Sequence, residues 1–136
     1  MQQAPLGWIL DKSAAARVDV PEIRSQLREL AGTLYVCPVG ELEQRYSARS
    51  ASEYDALAAE LRTTFPRAEA PPDIFDRALV LQRDLAHHHG MWHRTAIPDL
   101  LIAETALHNG LGVVHVDRDF ERIAEIRPLR CRRLRG

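Results

Sequence analysis

Leu6-Gly7-Trp8-Ile9-Leu10 is an apolar run that stops abruptly on Asp11 and continues as Lys12-Ser13-Ala14, a switch from strand-forming to helix-forming residues. We read it as a buried strand that delivers an acid. In open α/β sheets ligands gather at the carboxyl ends of the strands, so Asp11 stands at a place suited to chemistry. Taken alone, it reads as a cap on the helix that begins near Ser13, its carboxylate accepting from orphan N–H groups. The choice turns on what other acids arrive beside it.

Working outward, Ser13 to about Val18 reads as a short helix, and Pro21 opens another that reaches Leu30 through Ile23 and Leu27. Gly32 ends it, and Thr33-Leu34-Tyr35-Val36-Cys37 reads as a second strand stopped by Pro38. A helix from about Gly40 carries Leu42, Glu43 and Tyr46. Ser52 with Asp55 suggests the cap of the next helix, whose apolar stripe is Tyr54, Leu57, Ala58 and Leu61. Pro66, Pro71 and Pro72 enforce a loop before a helix from Asp73 to about His88 with Ile74, Ala78, Leu81 and Leu85 on one face. Ile97-Pro98-Asp99 opens a further helix through Leu100, Leu101, Ala103 and Leu107 that ends at Asn109-Gly110. Gly112-Val113-Val114-His115-Val116 is a third strand ending on Asp117-Arg118-Asp119; Phe120, Ile123 and Ala124 make a short helix, and Leu129 to Leu134 an edge strand. Strands interleaved with helices predict an α/β fold with a mainly parallel sheet.

At 136 residues the chain is one domain, 1–136, by the usual size prior. A net charge of -1 announces no general affinity for nucleic acid, so any basic surface is local. Lys12 is the only lysine; arginine, suited to forked contacts with phosphate, carries the rest of the positive charge. Cys37 and Cys131 have no metal-binding or redox spacing and point to reduced thiols in a cytoplasm. The start lacks the basic region of a signal peptide and the first apolar run is too short to span a bilayer, so we expect a cytoplasmic protein with no membrane association. His87, His88, His89 and His93 invite a metal reading, which we set aside because consecutive helical residues diverge and cations at a helix C-terminus are favourable in themselves.

In this layout Asp11 and Asp117 leave two buried strands, Asp99 starts a helix, and Glu43 lies early in another. Right-handed crossovers bring all four to one edge of the sheet. Each has an ordinary role available, as helix-start charge, solvated residue or turn residue, but four together argue for a site. Like charges about 5 Å apart at an effective dielectric of about 20 repel by roughly 3 kcal/mol per pair. Such a cluster calls for protons or a hard cation, and Mg²⁺ or Mn²⁺ on carboxylates serves phosphodiester hydrolysis. Ser13 is placed to hold a ligand water or a phosphate oxygen. Among the basic residues close to these acids in sequence (Lys12, Arg45, Arg49, Arg94 and Arg118), Lys12, Arg49 and Arg94 are our candidates for phosphate contacts.

The segments Ile9-Leu10-Asp11-Lys12-Ser13-Ala14, Leu42-Glu43 with Tyr46-Ser47-Ala48-Arg49-Ser50, His93-Arg94 before Ile97-Pro98-Asp99-Leu100-Leu101-Ile102-Ala103, and Asp117-Arg118-Asp119-Phe120 follow one another in an order with family meaning. From about Trp8 to Ala124 the chain resembles a PIN-domain ribonuclease of the VapC toxin family, the toxic half of bacterial VapBC toxin-antitoxin pairs. The resemblance implies a three-layer, Rossmann-like PIN fold, a Mg²⁺ or Mn²⁺ site, and endonucleolytic cleavage of RNA, often tRNA or ribosomal RNA. Carried over, the catalytic acids are Asp11, Glu43, Asp99 and Asp117, and the metal ligands Asp11, Asp99 and Asp117 with Asp119 as an additional or substitute ligand. Glu41 rivals Glu43, but Glu43 holds the Leu-Glu position before Tyr-Ser-Ala-Arg. Homodimers and inhibition by a cognate VapB-type antitoxin laid over the acidic site are further implications. The tail from Arg127 to Arg135 is more basic than the resemblance leads one to expect, leaving the register of the last strand open; Glu104, where a small residue is usual, lies about 140° around the helix from Asp99. Competing readings are a PIN-fold module that binds RNA or protein without cleaving, and a metal-dependent phosphodiesterase that is generic or directed at DNA.

Overall fold

The computed structural model describes residues 5–88, 90 and 92–136, with Trp92 described by its backbone only. The first four residues, which bear on the signal-peptide expectation, and His89 of the histidine run lie outside the described residues. Four strands, β1 (Trp8–Leu10), β2 (Leu34–Tyr35), β3 (Gly112–His115) and β4 (Cys131–Arg133), form one sheet in the order β2-β1-β3-β4. All three pairings are parallel, with Ile9 opposite both Tyr35 and Val113. The helices that make the crossovers are α1 (Lys12–Ala15), α2 (Pro21–Glu29), α3 (Pro38–Tyr46), α4 (Ala51–Thr64), α5 (Ile74–His87), α6 (Ile97–Asn109) and α7 (Asp119–Ala124), with a 3-10 turn at Trp92–Arg94.

The apolar runs of β1 and β3 have no polar alternation because both faces of the sheet are covered. Ile9 and Val113 point to one side, into a core shared with Leu81, Leu85, Leu100, Ile102, Phe120 and Ile123. Leu10 and Val114 point to the other and meet Ala14, Ile23, Leu30, Leu34 and Leu134. The result is the α/β three-layer arrangement expected from the sequence. Among the described residues, no helix is long and apolar enough to cross a membrane.

Several boundaries differ from the sequence reading. α1 stops at Ala15, short of Val18, and β2 is only two residues long. Pro38 does not merely end that strand: it opens α3 in the first turn, where its missing N–H is no loss. Val36 pairs outward instead, donating to Pro66 O at 3.0 Å and accepting from Ala68 N at 2.7 Å. α4 is capped by Ser50, not Ser52; Ser50 Oγ accepts from Glu53 N–H at 3.0 Å, so the capping pair lies two residues earlier. The last strand resolves as β4, parallel to β3. Gly110, at φ +68°, closes α6 and turns the chain into β3. At Gly112 a Cβ would lie 2.6 Å from Arg130 O and 2.7 Å from the Trp8 ring, so only glycine lets both neighbouring strands approach.

Candidate active site

The carboxyl edge of the central strands collects the acids. Asp11 N–H extends the β1–β3 ladder by donating to Val114 O at 2.9 Å, which fixes where the side chain starts. Its Oδ2 accepts from Ser13 N–H at 3.0 Å, so Asp11 caps α1 and stands in the cleft at once. Asp99 lies in the first turn of α6, immediately after Pro98. Glu43 projects from the middle of α3, Asp117 follows β3 after Val116, and Asp119 begins α7. Together with Lys12, Ser13, Ala16, Arg17 and Ala96, these five acids line a cleft of about 370 Å³.

One oxygen from each of Asp11, Glu43 and Asp99 lies within 4.8 Å of the others, and the same holds for Asp99, Asp117 and Asp119. Asp99 belongs to both triplets. Asp11 and Asp99 are buried, 3% and 7% exposed, so a charge on either is poorly screened by water. Burial first, then the charges of Asp11 and Asp117 and the hydrogen bond and charge of Asp119, push the Asp99 carboxyl up to about 8. Glu43 is also raised, by burial and by Asp11, with Lys12 pulling the other way. Asp117 is raised by burial and by the Asp11 and Asp119 charges, against which the Asp119 N–H on its Oδ1 at 3.2 Å works. Glu43 Oε1 is buried with no hydrogen-bond partner among the described residues. An all-oxygen donor set with an orphaned buried oxygen and one carboxyl that resists ionising is fit to hold a hard divalent cation.

The sequence candidates divide. Asp11, Glu43, Asp99, Asp117 and Asp119 meet, and Lys12 and Ser13 line the same cleft. Arg49, in the turn after α3, and Arg94, at the end of the 3-10 turn, are exposed and do not line it. Glu41 points away from the acids, about 200° around α3 by the helical repeat, and pairs with Arg45 at 2.7 Å, while Arg45 also lies 5.5 Å over the Tyr54 ring. Glu104 joins neither triplet. Its carboxyl is raised by burial, with Arg127 and Arg77 pulling it down. Ser13 Oγ accepts from Val116 N–H at 2.9 Å, a structural tie absent from the sequence reading. Arg17 was missed: it lines the cleft and donates to Ser13 O at 2.6 Å, a link that its spacing four residues after Ser13 could have suggested.

A family model described as PIN domain matches residues 7–126. Ribonuclease VapC17 of Mycobacterium tuberculosis is 56% identical over 124 residues, covering 89% of this chain and 90% of that protein. Ribonuclease VapC21 of the same organism is 39% identical over 121 residues, 88% of this chain and 87% of that one. Among solved structures, VapBC2 from Rickettsia felis bound to a promoter DNA fragment superposes with a TM-score of 0.74 at 13% identity, over 94% of this chain and 98% of that chain. VapBC-5 from Mycobacterium tuberculosis gives 0.66 at 21% identity, over 96% and 100%. At those identities the structures speak to the fold, whereas the family model and the sequence relatives speak to descent. This chain belongs to the PIN-domain family and, within it, to the VapC ribonucleases.

Proposed function

We propose that this protein is the toxin of a toxin-antitoxin pair and acts as an endoribonuclease that depends on Mg²⁺ or Mn²⁺, with tRNA or ribosomal RNA as the substrate class. The observation that carries the reading is the pair of carboxylate triplets sharing Asp99. In it Asp11, Asp99 and Asp117, with Asp119, would hold the ion. When bound, such an ion neutralises phosphate charge and makes a water acidic enough to attack near neutral pH. Glu43, one of whose oxygens joins the first triplet and whose buried Oε1 has no partner among the described residues, is suited to orient that water and take its proton. A raised carboxyl is a better base near neutrality. The attacking oxygen forms the new bond to phosphorus, the bond to the leaving ribose oxygen breaks, and that oxygen takes up a proton. Lys12 and Arg17 are placed to hold the flanking phosphates, with Ser13 O–H as a further donor; Arg49 and Arg94 would contact RNA only beyond the cleft.

An antitoxin of VapB type is the proposed inhibitor. An apolar groove of about 590 Å³ between α2 and α4, walled by Leu10, Leu27, Leu34, Leu57, Leu61 and Phe65, offers its peptide a seat. Ala15, Gln44 and Leu57 carry that groove into a recess shared with Lys12 and Ala16, which also line the acidic cleft, so one extended peptide could occupy both. A homodimer is proposed as well, because α5 exposes Phe75, Leu79 and Val80 with nothing packed over them among the described residues. A single domain over 1–136 in the cytoplasm, where Cys37 and Cys131 stay reduced, completes the reading.

The test is incubation of antitoxin-free protein with total cellular RNA, with and without Mg²⁺ or Mn²⁺, beside Asp99→Asn, with new RNA ends mapped by sequencing. Discrete metal-dependent ends absent from the variant, with RNA binding retained, are expected. Identical behaviour of wild type and Asp99→Asn would leave a binding module and end the enzyme reading; equal cleavage of DNA would end the preference for RNA.

A further inference from the structure

Three side chains from three elements close on the two residues that lead the chain out of β3. Ser13 of α1 accepts from Val116 N–H at 2.9 Å. Arg133 of β4 donates its Nε–H to Val116 O at 3.0 Å. His115 Nδ1 lies 2.7 Å from Asp117 O, and since a carbonyl only accepts, Nδ1 carries the hydrogen. A second branch of Arg133 reaches Glu121 of α7 at 3.6 Å, so one arginine spans both sides of the bend.

His115 is wholly buried, its ring 5.3 Å from Phe120, and its Nε2 is buried with no partner among the described residues. An unpartnered buried nitrogen is a penalty that an apolar side chain of similar size would avoid. The imidazole's polar contact is the bond to Asp117 O. Asp117, by contrast, is an exposed residue on a bend, and its carboxylate's hydrogen-bond tie is to Asp119 N–H. A carboxylate so placed gains a defined direction only if its backbone is held, and metal ligands depend on such outer contacts.

We infer that His115 and Arg133 are positioning residues that lock the bend after β3 and so aim the Asp117 carboxylate into the acidic cleft. The inference rests on the reading of the cleft as a metal site. Neither residue lines the cleft; both act through the backbone of Val116 and Asp117. Two features of the sequence gain a purpose: a histidine at the end of an apolar strand, and arginine in a tail that is otherwise unusually basic.

The test uses the full-length, antitoxin-free protein with Mn²⁺ alone as probe, its binding followed by electron paramagnetic resonance, beside melting temperatures. His115→Leu keeps the volume and removes the donor, and the freed Asp117 carbonyl can be hydrated on its exposed bend. His115→Asn keeps a donor near the Nδ1 position but leaves a cavity beside Phe120. The expected result is crossed: His115→Leu weakens Mn²⁺ binding about tenfold with little change in melting temperature, whereas His115→Asn melts lower yet binds nearly as wild type. Arg133→Leu also weakens binding, and Arg133→Lys recovers most of it. Asp117→Asn is the reference. If Asp117→Asn loses affinity while both leucine variants bind as wild type, the clamp is overturned and the metal site stands. If Asp117→Asn binds as wild type, both readings fall. Affinity that merely follows melting temperature, with His115→Asn the weaker binder, also overturns the clamp. Should His115→Leu not fold, the Arg133 pair, whose side chain is partly solvated, decides alone.

Discussion

Five carboxylates crowd the cleft at the end of β1 and β3, while a short way along α1 the groove between α2 and α4 is walled mainly by leucine, alanine, phenylalanine and the stems of longer side chains. Both regions are open to solvent and both share the neighbourhood of α1, yet they are incomplete in different currencies. The cleft suffers from charge: burial and mutual repulsion hold Asp99, Glu43 and Asp117 above the usual carboxylate range. The groove suffers from exposed apolar area, whose penalty scales with surface and ignores pH. A small, doubly charged ion would relieve the first, and apolar side chains laid over the groove would relieve the second. One fold can thus present two surfaces whose penalties respond to separate variables, pH for the cleft and apolar area for the groove.

The comparison breaks most visibly at the acids. Asp11→Asn and Asp117→Asn should each lower RNA cleavage at least about a hundredfold and relieve growth arrest in a host expressing the protein alone. Continued arrest in both would remove the cleft from the mechanism. Leu27→Asp places a charge in the groove: inhibition by the antitoxin should weaken about thirtyfold when cleavage is titrated with the partner, while Mn²⁺ affinity holds. A loss of Mn²⁺ affinity instead would show that the two surfaces are not separate.

Stability offers a finer discrimination. The Asp99 carboxyl titrates higher in the folded chain, at about 8, than in the unfolded one, so the folded state binds its proton more tightly. Stability of the metal-free protein therefore falls as pH rises between about 4 and 8. Asp99→Asn should flatten that slope and melt about 5 °C higher than wild type at pH 8, as read by circular dichroism; added Mg²⁺ should raise the wild type and leave the variant nearly unmoved. A steep slope retained in the variant would place the repulsion elsewhere. The smallest effect is a control outside both regions: Ser50→Ala removes the α4 cap and should cost about 1 kcal/mol in denaturant unfolding, with metal binding unchanged.

The parts of this design that were legible in the sequence are those written locally. The double-sided burial of Ile9-Leu10 and Val113-Val114 shows as unbroken apolar runs, and Asp11, Asp99 and Asp117 stand where those runs end or a proline-led helix begins. Separating Glu43 from Glu41 needed the family resemblance, because both sit on α3 and only packing decides which face meets the sheet edge. Arg49 and Arg94 lie near the acids along the chain, yet the chain leads them away from the cleft. Arg17 was overlooked since its place depends on how α1 ends. The basic tail was opaque for a similar reason. Its arginines find partners far away in sequence, Arg132 with Glu29 at 3.5 Å and Arg133 with the Val116 carbonyl, contacts that exist only once β4 lies beside β3.

The parallel sheet also sets a clock. Ser13 and Val116, joined by a hydrogen bond, are 103 positions apart, and β1 lies at the centre of the sheet with its neighbour β3 still unmade while most of the chain is being synthesised. Pairings so distant in sequence form late. Asp11 leaves the ribosome 106 positions ahead of Asp117, and the two meet only after the chain between them has emerged. The acidic cleft is therefore assembled only when β1 has found its distant neighbour β3.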